Sequence, residues 1–358
     1  MEKQVSPPGL ETANLLITGG AGFIGSCYAR LVRRKRPGAL LVNVDALTYA
    51  GNLENLADLE SDAGHVFVKA DIRDGDRMVQ LLTSHHIDAV INFAAESHVD
   101  RSILSAAPFI DTNVTGTLRL LEAARAAGVR RFVQISTDEV YGSLGPQGAF
   151  EETTPLAPRS PYSASKAAAD HLVMAFHHTH GLDVVITRCS NNYGPYQFPE
   201  KLIPLMILNA CEGRPLPVYG DGMQVRDWIH VQDHCEAIDA AFLSGGPGQV
   251  YNIGAENERP NIDVVRAILA QVGAPPTLIR NVPDRPGHDR RYAINASKAR
   301  RELGWRPQQP FEEGLRATVA WYRANGPWCE RVRSGRYRDY YEQQYGARLR
   351  DPKGDRGG

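Results

Sequence analysis

A glycine-rich turn close to the start of the chain constrains the fold more than any other feature of the sequence. Three of its glycines are spaced three residues apart, directly after an apolar run over residues 14–18 and directly before a helical pattern over residues 23–35. Glycine permits the tight turn from strand to helix and lets the backbone approach a pyrophosphate, to which the helix N-terminus offers N–H groups and a positive dipole end. The turn therefore predicts a dinucleotide site in the first strand–helix unit. Its predicted contacts are Gly19, Gly22, Phe23, Ile24 and Gly25.

Acidic residues that follow the next two apolar runs support this interpretation. Asp45 lies 20 residues beyond Gly25, at the end of the second run, where a carboxylate accepts hydrogen bonds from the two ribose hydroxyls of NAD. A 2′-phosphate would be repelled there, so the sequence favours NAD over NADP. Asp71 and Ile72 follow the third run and are predicted to flank the adenine.

The first half of the chain alternates short apolar runs with longer helical patterns. Such alternation predicts a parallel sheet covered on both faces. Because Pro and Gly become frequent after residue 191, we expect an α/β protein with a Rossmann-type doubly wound parallel sheet and a smaller C-terminal substrate-binding lobe. The predicted strands cover residues 14–18, 40–45, 66–69, 89–93, 131–136 and 183–187. The predicted helices include residues 23–35, 75–85 and 106–127, the last of them ended by Gly128.

A chain of 358 residues is long enough for about two domains. We predict a flexible N-terminal tail over residues 1–13, an NAD-binding Rossmann domain over 14–190, a nucleotide-sugar-binding lobe over 191–350 and a disordered tail over 351–358. A segment around residues 228–256 is predicted to return to the large sheet, so that the two domains are interleaved.

The composition excludes several other classes of protein. Lys plus Arg total 40 and Asp plus Glu total 41, whereas nucleic-acid-binding proteins usually carry a basic excess. The strong basic run at residues 33–36 falls at the end of a predicted helix, where we expect solvated cations. No stretch reaches 18 consecutive apolar residues, and the first 13 residues lack the apolar centre of a signal peptide. We therefore expect no nucleic-acid partner and no membrane partner.

The cysteine and histidine patterns argue against disulfides and metal ions. The five cysteines are an odd number and include no C-x-x-C pair, which fits a reducing compartment and predicts a cytoplasmic protein. His177, His178 and His180 have no carboxylate or cysteine partners at ligand spacing. We expect these histidines to be solvated and predict no metal site.

A tyrosine and a lysine one helical turn apart suggest proton transfer. Ser160 and Pro161 are favourable residues for a helix start, so Tyr162 and Lys166 are predicted to share one face of a helix over residues 162–180. A lysine ammonium and an oxidised nicotinamide near the phenol would lower its pKa, and a tyrosinate could then remove a hydroxyl proton. The pair is common by chance, but its occurrence about 140 residues after the glycine turn makes the signal specific.

Together these features resemble the extended short-chain dehydrogenase/reductase superfamily of nucleotide-sugar enzymes. The run STDEVYG over residues 136–142 ends the strand that is predicted to face the nicotinamide, and its Thr-Asp-Glu is similar to the dTDP-glucose 4,6-dehydratase family. Segments over residues 48–53, 94–101, 188–195, 198–203, 226–228 and 285–288 resemble the same family, and the resemblance covers roughly residues 14 to 345. Asn295 departs from the family, because an Asp is expected there.

The resemblance implies dehydration of dTDP-glucose, with NAD, by oxidation at C4, loss of water across C5 and C6, and return of the hydride to C6. Oxidation at C4 makes the C5 proton acidic, and two carboxyl groups with separated pKa values can then divide the elimination. The resemblance and this chemistry assign Glu139 as the base and a protonated Asp138 as the acid. Thr137 is expected to hydrogen-bond the reacting hydroxyl, beside Tyr162 and Lys166.

The resemblance also implies binding residues and a second subunit. A homodimer is expected to form through the helices over residues 106–127 and 162–180, although inward packing explains the apolar spacing of the second helix nearly as well. The nucleotide sugar is expected to contact Ser97, Thr137, Asn191, Lys201, Leu202, Pro217, Tyr219, Arg226, Asn261, Arg285 and His288. Outside the glycine turn, NAD is expected to contact Asp45, Leu47, Thr48, Asp71, Ile72, Ala94, Ala95, Thr112, Tyr162, Lys166 and Asn192.

Other functions stay open at the level of sequence. A nucleotide-sugar 4-epimerase or decarboxylase would share the scaffold, but epimerases lack an acid pair directly after the threonine. A non-catalytic NAD-binding regulator would share the fold, but such proteins usually lose the tyrosine or the lysine. The nucleoside base is not fixed either, since uridine or cytidine would need only small changes around Pro217 and Tyr219.

Overall fold

The apolar runs of the first half of the chain form the strands of a large sheet in a computed structural model that describes residues 9–333. The strands of the protein are β1 Leu15–Thr18, β2 Leu41–Asp45, β3 His65–Lys69, β4 Ala89–Asn92, β5 Arg131–Thr137, β6 Val184–Cys189, β7 Asn191–Tyr193, β8 Leu216–Tyr219, β9 Val225–His230, β10 Gln249–Ile253, β11 Glu258–Pro260 and β12 Ile279–Val282. Strands β1, β2, β4, β5 and β6 are buried along their whole length, because helices cover both faces of the sheet. All six predicted strands are present, with ends shifted by at most two residues.

Helices follow most of the strands and supply the two covering layers. They are α1 Phe23–Lys35, α2 Gly75–Ser84, α3 Val99–Leu104, α4 Ala107–Phe109, α5 Thr117–Ala126, α6 Pro161–His180, α7 Leu202–Cys211, α8 Val231–Ser244, α9 Asn261–Val272, α10 Ser297–Leu303, α11 Phe311–Ala324 and α12 Gly326–Val332. Helix α6 begins as predicted, with Pro161 in its first turn and the Ser160 side chain accepting a hydrogen bond from the Ser163 N–H at 3.1 Å. The catalytic tyrosine and lysine candidates therefore lie on a well-capped helix.

The order of the strands places a binding site at one edge of the sheet. The seven strands are arranged β10-β6-β5-β4-β1-β2-β3, and all neighbours are parallel. The chain thus builds outward from β1 first through β2 and β3, and then on the other side through β4, β5 and β6. Ligands of such sheets bind beyond the carboxyl ends of the strands where this reversal occurs. The predicted Rossmann-type fold is confirmed.

The predicted helix over residues 106–127 is interrupted, which corrects the sequence analysis. A π-helical segment, Ile110–Gly116, separates α4 from α5. Asn113 within it turns inward, where its amide exchanges hydrogen bonds with the backbone of Glu96 at 2.8 and 3.0 Å and donates to Ser165 Oγ at 2.8 Å. These contacts to two distant segments account for the wider turn, and a local helical pattern carries no information about them.

The residues after β6 build a separate apolar core and also return to the large sheet. Helices α7, α9 and α11 pack with β8 around a cluster that includes Leu205, Val264, Leu315 and Trp328. Strand β10 pairs with β6 at the edge of the large sheet, and α8 packs on α1. Within residues 9–333, no helix combines the length and the apolar character needed to span a membrane.

The predicted N-terminal tail is packed against the core at its end. Leu10 and Ala13 are buried in the core beside β1, so the prediction of a loose tail is wrong for these two residues. Residues 1–8 of that predicted tail, and the predicted disordered tail over 351–358, lie outside the described residues.

The basic run at the end of α1 is only partly solvated, which is a second correction. Its two middle residues are exposed, as expected. Arg33, however, is buried and pairs with Asp62 at 2.8 Å. Arg36 is also buried and pairs at 2.5 Å with Asp239 of α8. The two buried arginines hold α1 to its neighbours, and the acids that neutralise them lie 29 and 203 residues away along the chain.

The Arg36–Asp239 pair generates a stability prediction. Asp239→Asn should lower the free energy of unfolding by about 3 kcal/mol, because it leaves a buried guanidinium without a charged partner. The double variant Arg36→Met/Asp239→Leu should recover most of that loss, since no uncompensated charge remains. Urea denaturation of the purified variants measures both changes. As a control, Asp58→Asn removes an exposed partner of Arg30 and should cost less than about 1 kcal/mol; equal losses for both acids would contradict the role of burial.

Candidate active site

A cavity of about 480 Å³ opens where the strand order reverses, beyond the carboxyl ends of β1, β2, β4 and β5. It is lined by nearly all residues that the sequence assigned to the dinucleotide and to catalysis. The predicted residues around it are Gly19, Gly22, Phe23, Ile24, Gly25, Asp45, Thr48, Asp71, Ile72, Ala94, Ala95, Ser97, Thr112, Thr137, Asp138, Glu139, Tyr162, Lys166, Asn191, Asn192 and Lys201. The sheet topology thus brings together segments that are far apart in the sequence.

The glycine turn is shaped as the sequence requires. Gly19 has φ +67°, and a Cβ there would lie 2.7 Å from the backbone nitrogen of Ala94. A Cβ on Gly25 would lie 2.4 Å from the carbonyl oxygen of Gly19. Side chains at either position would push the turn open, so glycine is needed for the close passage of α1 over the strand ends. The N-terminus of α1 consequently points its free N–H groups at the cavity.

Asp45 stands at the end of β2 in a position suited to a ribose. Its carboxylate accepts the N–H groups of Ala21 at 3.0 Å and Leu47 at 2.8 Å, and burial raises its pKa against these two hydrogen bonds. Each oxygen retains a lone pair for a further donor. Leu47 lies between Ala46 and Thr48, which line the cavity, and its N–H group orients Asp45; its predicted contact with the cofactor stays a prediction.

Thr137, Asp138 and Glu139 occupy the end of β5 and the 3₁₀ turn that follows it. Thr137 Oγ1 accepts the Glu139 N–H at 3.3 Å and lies 3.4 Å from Asp138 Oδ1. Asp138 is only 2% exposed, and no donor within residues 9–333 reaches its Oδ2. Burial, reinforced by the negative charge of Glu139, raises the pKa of Asp138 well above its usual range. Asp138 is therefore suited to carry a proton at neutral pH.

Glu139 is half-buried and faces cations. Burial raises its pKa, while the positive charges of Arg285, Arg226 and Lys201 oppose that rise. For Asp138, the effect of burial is increased by a neighbouring anion. Two adjacent carboxyl groups thus have different electrostatic environments, as an acid–base pair requires.

Tyr162 and Lys166 lie on one face of α6, as predicted. Burial raises the pKa of Tyr162 well above its usual range, and the charge of Glu139 acts in the same direction. The Lys166 ammonium donates to the carbonyl oxygen of Ile135 at 2.6 Å, and burial lowers its pKa. In the protein alone the pKa of the phenol is therefore raised, and the predicted joint effect of Lys166 and an oxidised nicotinamide stays a prediction.

A second cavity of about 150 Å³ adjoins the first and extends into the lobe. Glu139, Asn191 and Lys201 line both cavities. The remaining predicted substrate residues line the second cavity: Leu202, Pro217, Tyr219, Arg226, Asn261, Arg285 and His288. The sequence assignment of a substrate side is consistent with this placement, and the acid pair lies where the cavities meet.

Arg226 is the most constrained cation of the second cavity. It is 5% exposed, donates to the backbone carbonyl oxygens of Val225 and Asp289 at 2.8 and 2.9 Å, and stacks over the ring of Tyr292 at 4.2 Å. It forms no ion pair with any residue between 9 and 333, and burial lowers its pKa. A buried guanidinium without a carboxylate is expected where an anionic ligand binds.

Two asparagines also present polar atoms to the cavities. Neither Asn191 Oδ1 nor Asn261 Oδ1 is reached by a donor from the described part of the chain, although both atoms are buried. Asn192 instead is held in place, with its Oδ1 at 2.9 Å from His234 Nδ1 and its Nδ2 donating to the Ser190 carbonyl at 3.0 Å. Buried acceptors of this kind are suited to ligand hydroxyl and N–H groups.

Sequence reasoning missed several residues of the site. Asp100, Glu200 and Tyr292 all line the second cavity, and none was selected individually. Asp100 and Glu200 fall inside segments that were quoted for the resemblance, so the signal was present but not specific to a residue. Tyr292 begins the family segment in which Asn295 departs, but its role depends on its contact with Arg226, which the segment does not reveal.

Comparisons with known proteins agree with this site. A family model described as GDP-mannose 4,6 dehydratase matches residues 16–318. A dTDP-glucose 4,6-dehydratase of Xanthomonas campestris pv. campestris (strain B100) is 57% identical over 344 residues, which are 91% of this chain and 97% of the relative. The chain belongs to the dTDP-glucose 4,6-dehydratase family. The family resemblance predicted from the sequence is confirmed.

Solved structures extend the comparison. DesIV, a dTDP-glucose 4,6-dehydratase from Streptomyces venezuelae crystallised with NAD, superposes with a TM-score of 0.87 at 50% identity, covering 89% of this chain and 99% of DesIV. A UDP-glucose 4-epimerase from Thermus thermophilus, also in complex with NAD, gives 0.81 at 32% identity, covering 87% and 99%. The fold is thus shared by dehydratases and epimerases, and the site has to distinguish them.

The raised pKa of Asp138 predicts that the difference in stability between the wild type and Asp138→Asn depends on pH. The folded protein retains a proton that the unfolded chain releases above about pH 4, so the stabilisation due to that proton is lost as the pH rises toward the folded pKa. Asp138→Asn needs no proton, and it should become increasingly more stable than the wild type from about pH 4 upward. Thermal unfolding between pH 4 and 8 measures this difference.

A carboxylate with the opposite shift provides the control. Hydrogen bonds from Arg290 lower the pKa of Asp221 to about 2, so its stabilising effect is present above pH 4 and is lost as the pH falls toward 2. Asp221→Asn should therefore show a deficit above pH 4, not a gain. A pH-independent difference for Asp138→Asn would contradict a protonated Asp138.

Proposed function

We propose that this protein catalyses the NAD-dependent dehydration of dTDP-glucose to the 4-keto-6-deoxy sugar. The observation that carries the proposal is the pair formed by the buried Asp138 and the half-buried Glu139, located between the dinucleotide cavity and the cation-lined cavity. The negative charge of Glu139 raises the pKa of Asp138, whereas three cations oppose the rise in the pKa of Glu139. Epimerisation at C4 needs no such pair, whereas elimination of water across C5 and C6 does.

The first cavity fits NAD. The turn at Gly19 leaves no room for a side chain and directs the N-terminus of α1 at a pyrophosphate. Asp45 is placed to accept the ribose hydroxyls, with Ile72 and Asp71 beside the adenine and Thr112 further along the cavity. When bound there, NAD supplies the redox chemistry by accepting the hydride from C4 and returning it to C6. The two relatives that were crystallised with NAD support this assignment.

Tyr162 acts as the base for the C4 hydroxyl, and Thr137 holds that hydroxyl by a hydrogen bond. Because burial raises the pKa of Tyr162, its phenolate needs a positive charge beside it, which the oxidised nicotinamide provides. Lys166 lies one turn further along α6, and its ammonium is fixed by the Ile135 carbonyl. It positions the cofactor ribose and adds a second positive charge.

Glu139 removes the C5 proton once C4 is a ketone, and Asp138 donates its proton to the C6 hydroxyl, which leaves as water. Arg285, Arg226 and Lys201 favour the ionised form of Glu139, while burial next to Glu139 favours the protonated form of Asp138. Glu139 then returns its proton to C5 when C6 is reduced. Tyr162 finishes with the proton of the C4 hydroxyl and Asp138 finishes ionised, so one proton transfer from Tyr162 to Asp138 resets the site.

The second cavity holds the nucleoside diphosphate. Arg226 pairs with phosphate oxygens, since it is buried and forms no ion pair among the described residues. Lys201 and Leu202 lie beside the diphosphate, Pro217 and Tyr219 bracket the base, and Asn191 contacts the sugar. Ser97, Asn261, Arg285 and His288 complete this lining.

Product analysis tests the proposed function. Incubated with dTDP-glucose, the purified enzyme should release a nucleotide sugar that has lost one water and carries a 4-keto group, identified by mass spectrometry and NMR. UDP-glucose and CDP-glucose, assayed in parallel, test the choice of base. Formation of a 4-epimer without loss of water would establish the epimerase alternative, and no turnover of any of the three would favour a regulator.

We further infer that the protein is a cytoplasmic homodimer. The five cysteines are free thiols, as in a reducing compartment. Ile103, Leu104 and Ile110 expose 39, 58 and 45% of their surface beside α6, which is unusual for apolar side chains that form a group. Of the apolar residues at helical spacing on α6, Ala168, Leu172 and Ala175 are at least partly exposed, whereas Phe176 is buried inward. This surface is suited to a second copy of the chain.

The roles of the acid pair lead to a prediction about where catalysis stops. Asp138→Asn and Glu139→Gln should each lower turnover by about 10²- to 10⁴-fold, while C4 oxidation continues because Tyr162 and Lys166 remain. A 4-keto sugar that retains its C6 hydroxyl should therefore be recovered from rapid-quench samples. A C6-fluoro substrate should rescue Asp138→Asn far more than Glu139→Gln, since fluoride leaves without an acid. Equal rescue of the two variants would show that the roles are wrongly assigned.

The dimer surface leads to a prediction about size in solution. The wild type should sediment at twice the chain mass of 39.4 kDa at micromolar concentration. Leu104→Lys should shift it toward the monomer, because it places a charge in an apolar interface. Leu53→Lys is the control, since Leu53 is 48% exposed in a 3₁₀ segment elsewhere. A wild type that sediments only as a monomer would refute the homodimer.

A further inference from the structure

Asp100 joins the NAD-binding part of the chain to the two sides of the nucleotide cavity. It lies on α3, five residues after Ala95, and is 5% exposed. Its Oδ2 accepts a hydrogen bond from the Tyr219 hydroxyl at 2.9 Å, and its Oδ1 accepts one from Arg285 at 2.8 Å. These partners are 119 and 185 residues away along the chain. One carboxylate thus connects three segments at the cavity.

Both partners belong to the proposed nucleotide site, which makes the contact more than a structural link. Tyr219 ends β8 and is proposed to bracket the base. Arg285 lies in the loop after β12, and its Nε is buried without a partner in residues 9–333. Arg285 thus has one guanidinium nitrogen bonded to Asp100 and a buried Nε–H group that is available for a further acceptor, such as a ligand. Asp100 therefore fixes the orientation of the guanidinium.

The charges around Arg285 also connect it to Asp100. Among the charged groups near Glu139, Arg285 contributes most to lowering the pKa of that carboxyl group. Asp100 in turn contributes most to raising the pKa of Arg285. The carboxylate of Asp100 is also kept ionised by Arg285, whose charge opposes the effect of burial on its pKa. Asp100 and Arg285 therefore need each other to be buried at this position.

We propose that Asp100 is a positioning residue for nucleotide binding. It holds Arg285 and Tyr219 in the conformations in which they contact the dTDP group. The proposal rests on the proposed function, because it takes the second cavity to be the nucleotide site. Asp100 has no part in the proton transfers, since both of its oxygens are occupied by these two side chains. Asp100→Asn leaves the positive charge of Arg285 in the site, so it should weaken binding of the nucleotide while the chemical steps stay largely intact.

The first variant to measure is Asp100→Asn. The amide keeps the shape of the side chain, but its NH₂ group faces a donor in one of the two positions, so it cannot accept from both partners. Titration calorimetry with dTDP should give a dissociation constant about 10- to 100-fold higher than that of the wild type. With dTDP-glucose, KM should rise by a similar factor while kcat changes less than about 3-fold.

A double-variant cycle tests whether Asp100 acts through Arg285. Arg285→Met keeps the apolar stem and removes the charge, and it should weaken dTDP binding by itself. In that background, Asp100→Asn should change the dissociation constant by less than about 3-fold, because its partner is gone. Tyr219→Phe removes only the hydroxyl contact and should give a smaller loss than Asp100→Asn. Additive effects of the Asp100 and Arg285 substitutions would overturn the proposal.

A matched control separates positioning from simple stabilisation. Asp183 makes two hydrogen bonds to the buried Arg131 guanidinium at 2.8 and 3.1 Å, at the opposite ends of the sheet strands from the cavities. Asp183→Asn should lower the melting temperature without changing the dTDP dissociation constant. If Asp100→Asn behaves in the same way, the positioning role is wrong although the proposed function stands. If the wild type neither binds dTDP nor converts dTDP-glucose, both proposals fail.

Discussion

The placement of two adjacent carboxyl groups at the end of β5 is the constraint on which the rest of the site depends. Asp138 is buried and Glu139 is half-buried, and desolvation raises the pKa of both. The lobe supplies the distinction, because its cations Arg226, Arg285 and Lys201 oppose the rise in the pKa of Glu139. The parallel sheet places the pair at the strand ends, and the lobe cations separate the two pKa values. Neither half of the chain makes an acid–base pair alone.

Much of the fold was accessible from the sequence because the relevant signals are local. The strands are continuous apolar runs, buried on both faces, and their limits were predicted within two residues. Gly19 and Gly25 are required by close backbone contacts inside one turn, so their spacing predicts the geometry directly. The start of α6 is likewise predicted by the two residues before Tyr162, since Ser160 caps the helix and Pro161 lies in its first turn. Where a structure follows from neighbours in the chain, sequence reasoning succeeds.

The errors concern contacts between distant segments. The π-helical turn depends on bonds from Asn113 to Glu96 and Ser165, which no helical pattern reveals. Arg36 was expected in solvent, but it is buried against Asp239, 203 residues away. Charge signs and residue types are visible in a sequence, but the partner that determines their role is not.

The surroundings of the tyrosine have a consequence for the proposed reaction. The residues around Tyr162 raise the pKa of its phenol, chiefly by burial and by the charge of Glu139. In the proposed reaction, the positive charge of the oxidised cofactor favours the ionised phenol, and this charge is lost when the cofactor is reduced. An ionised Glu139 strengthens this dependence, because each negative charge near the phenol increases its need for a positive one. The carboxylate that we propose for the elimination would therefore also restrict the first proton transfer to the oxidised enzyme.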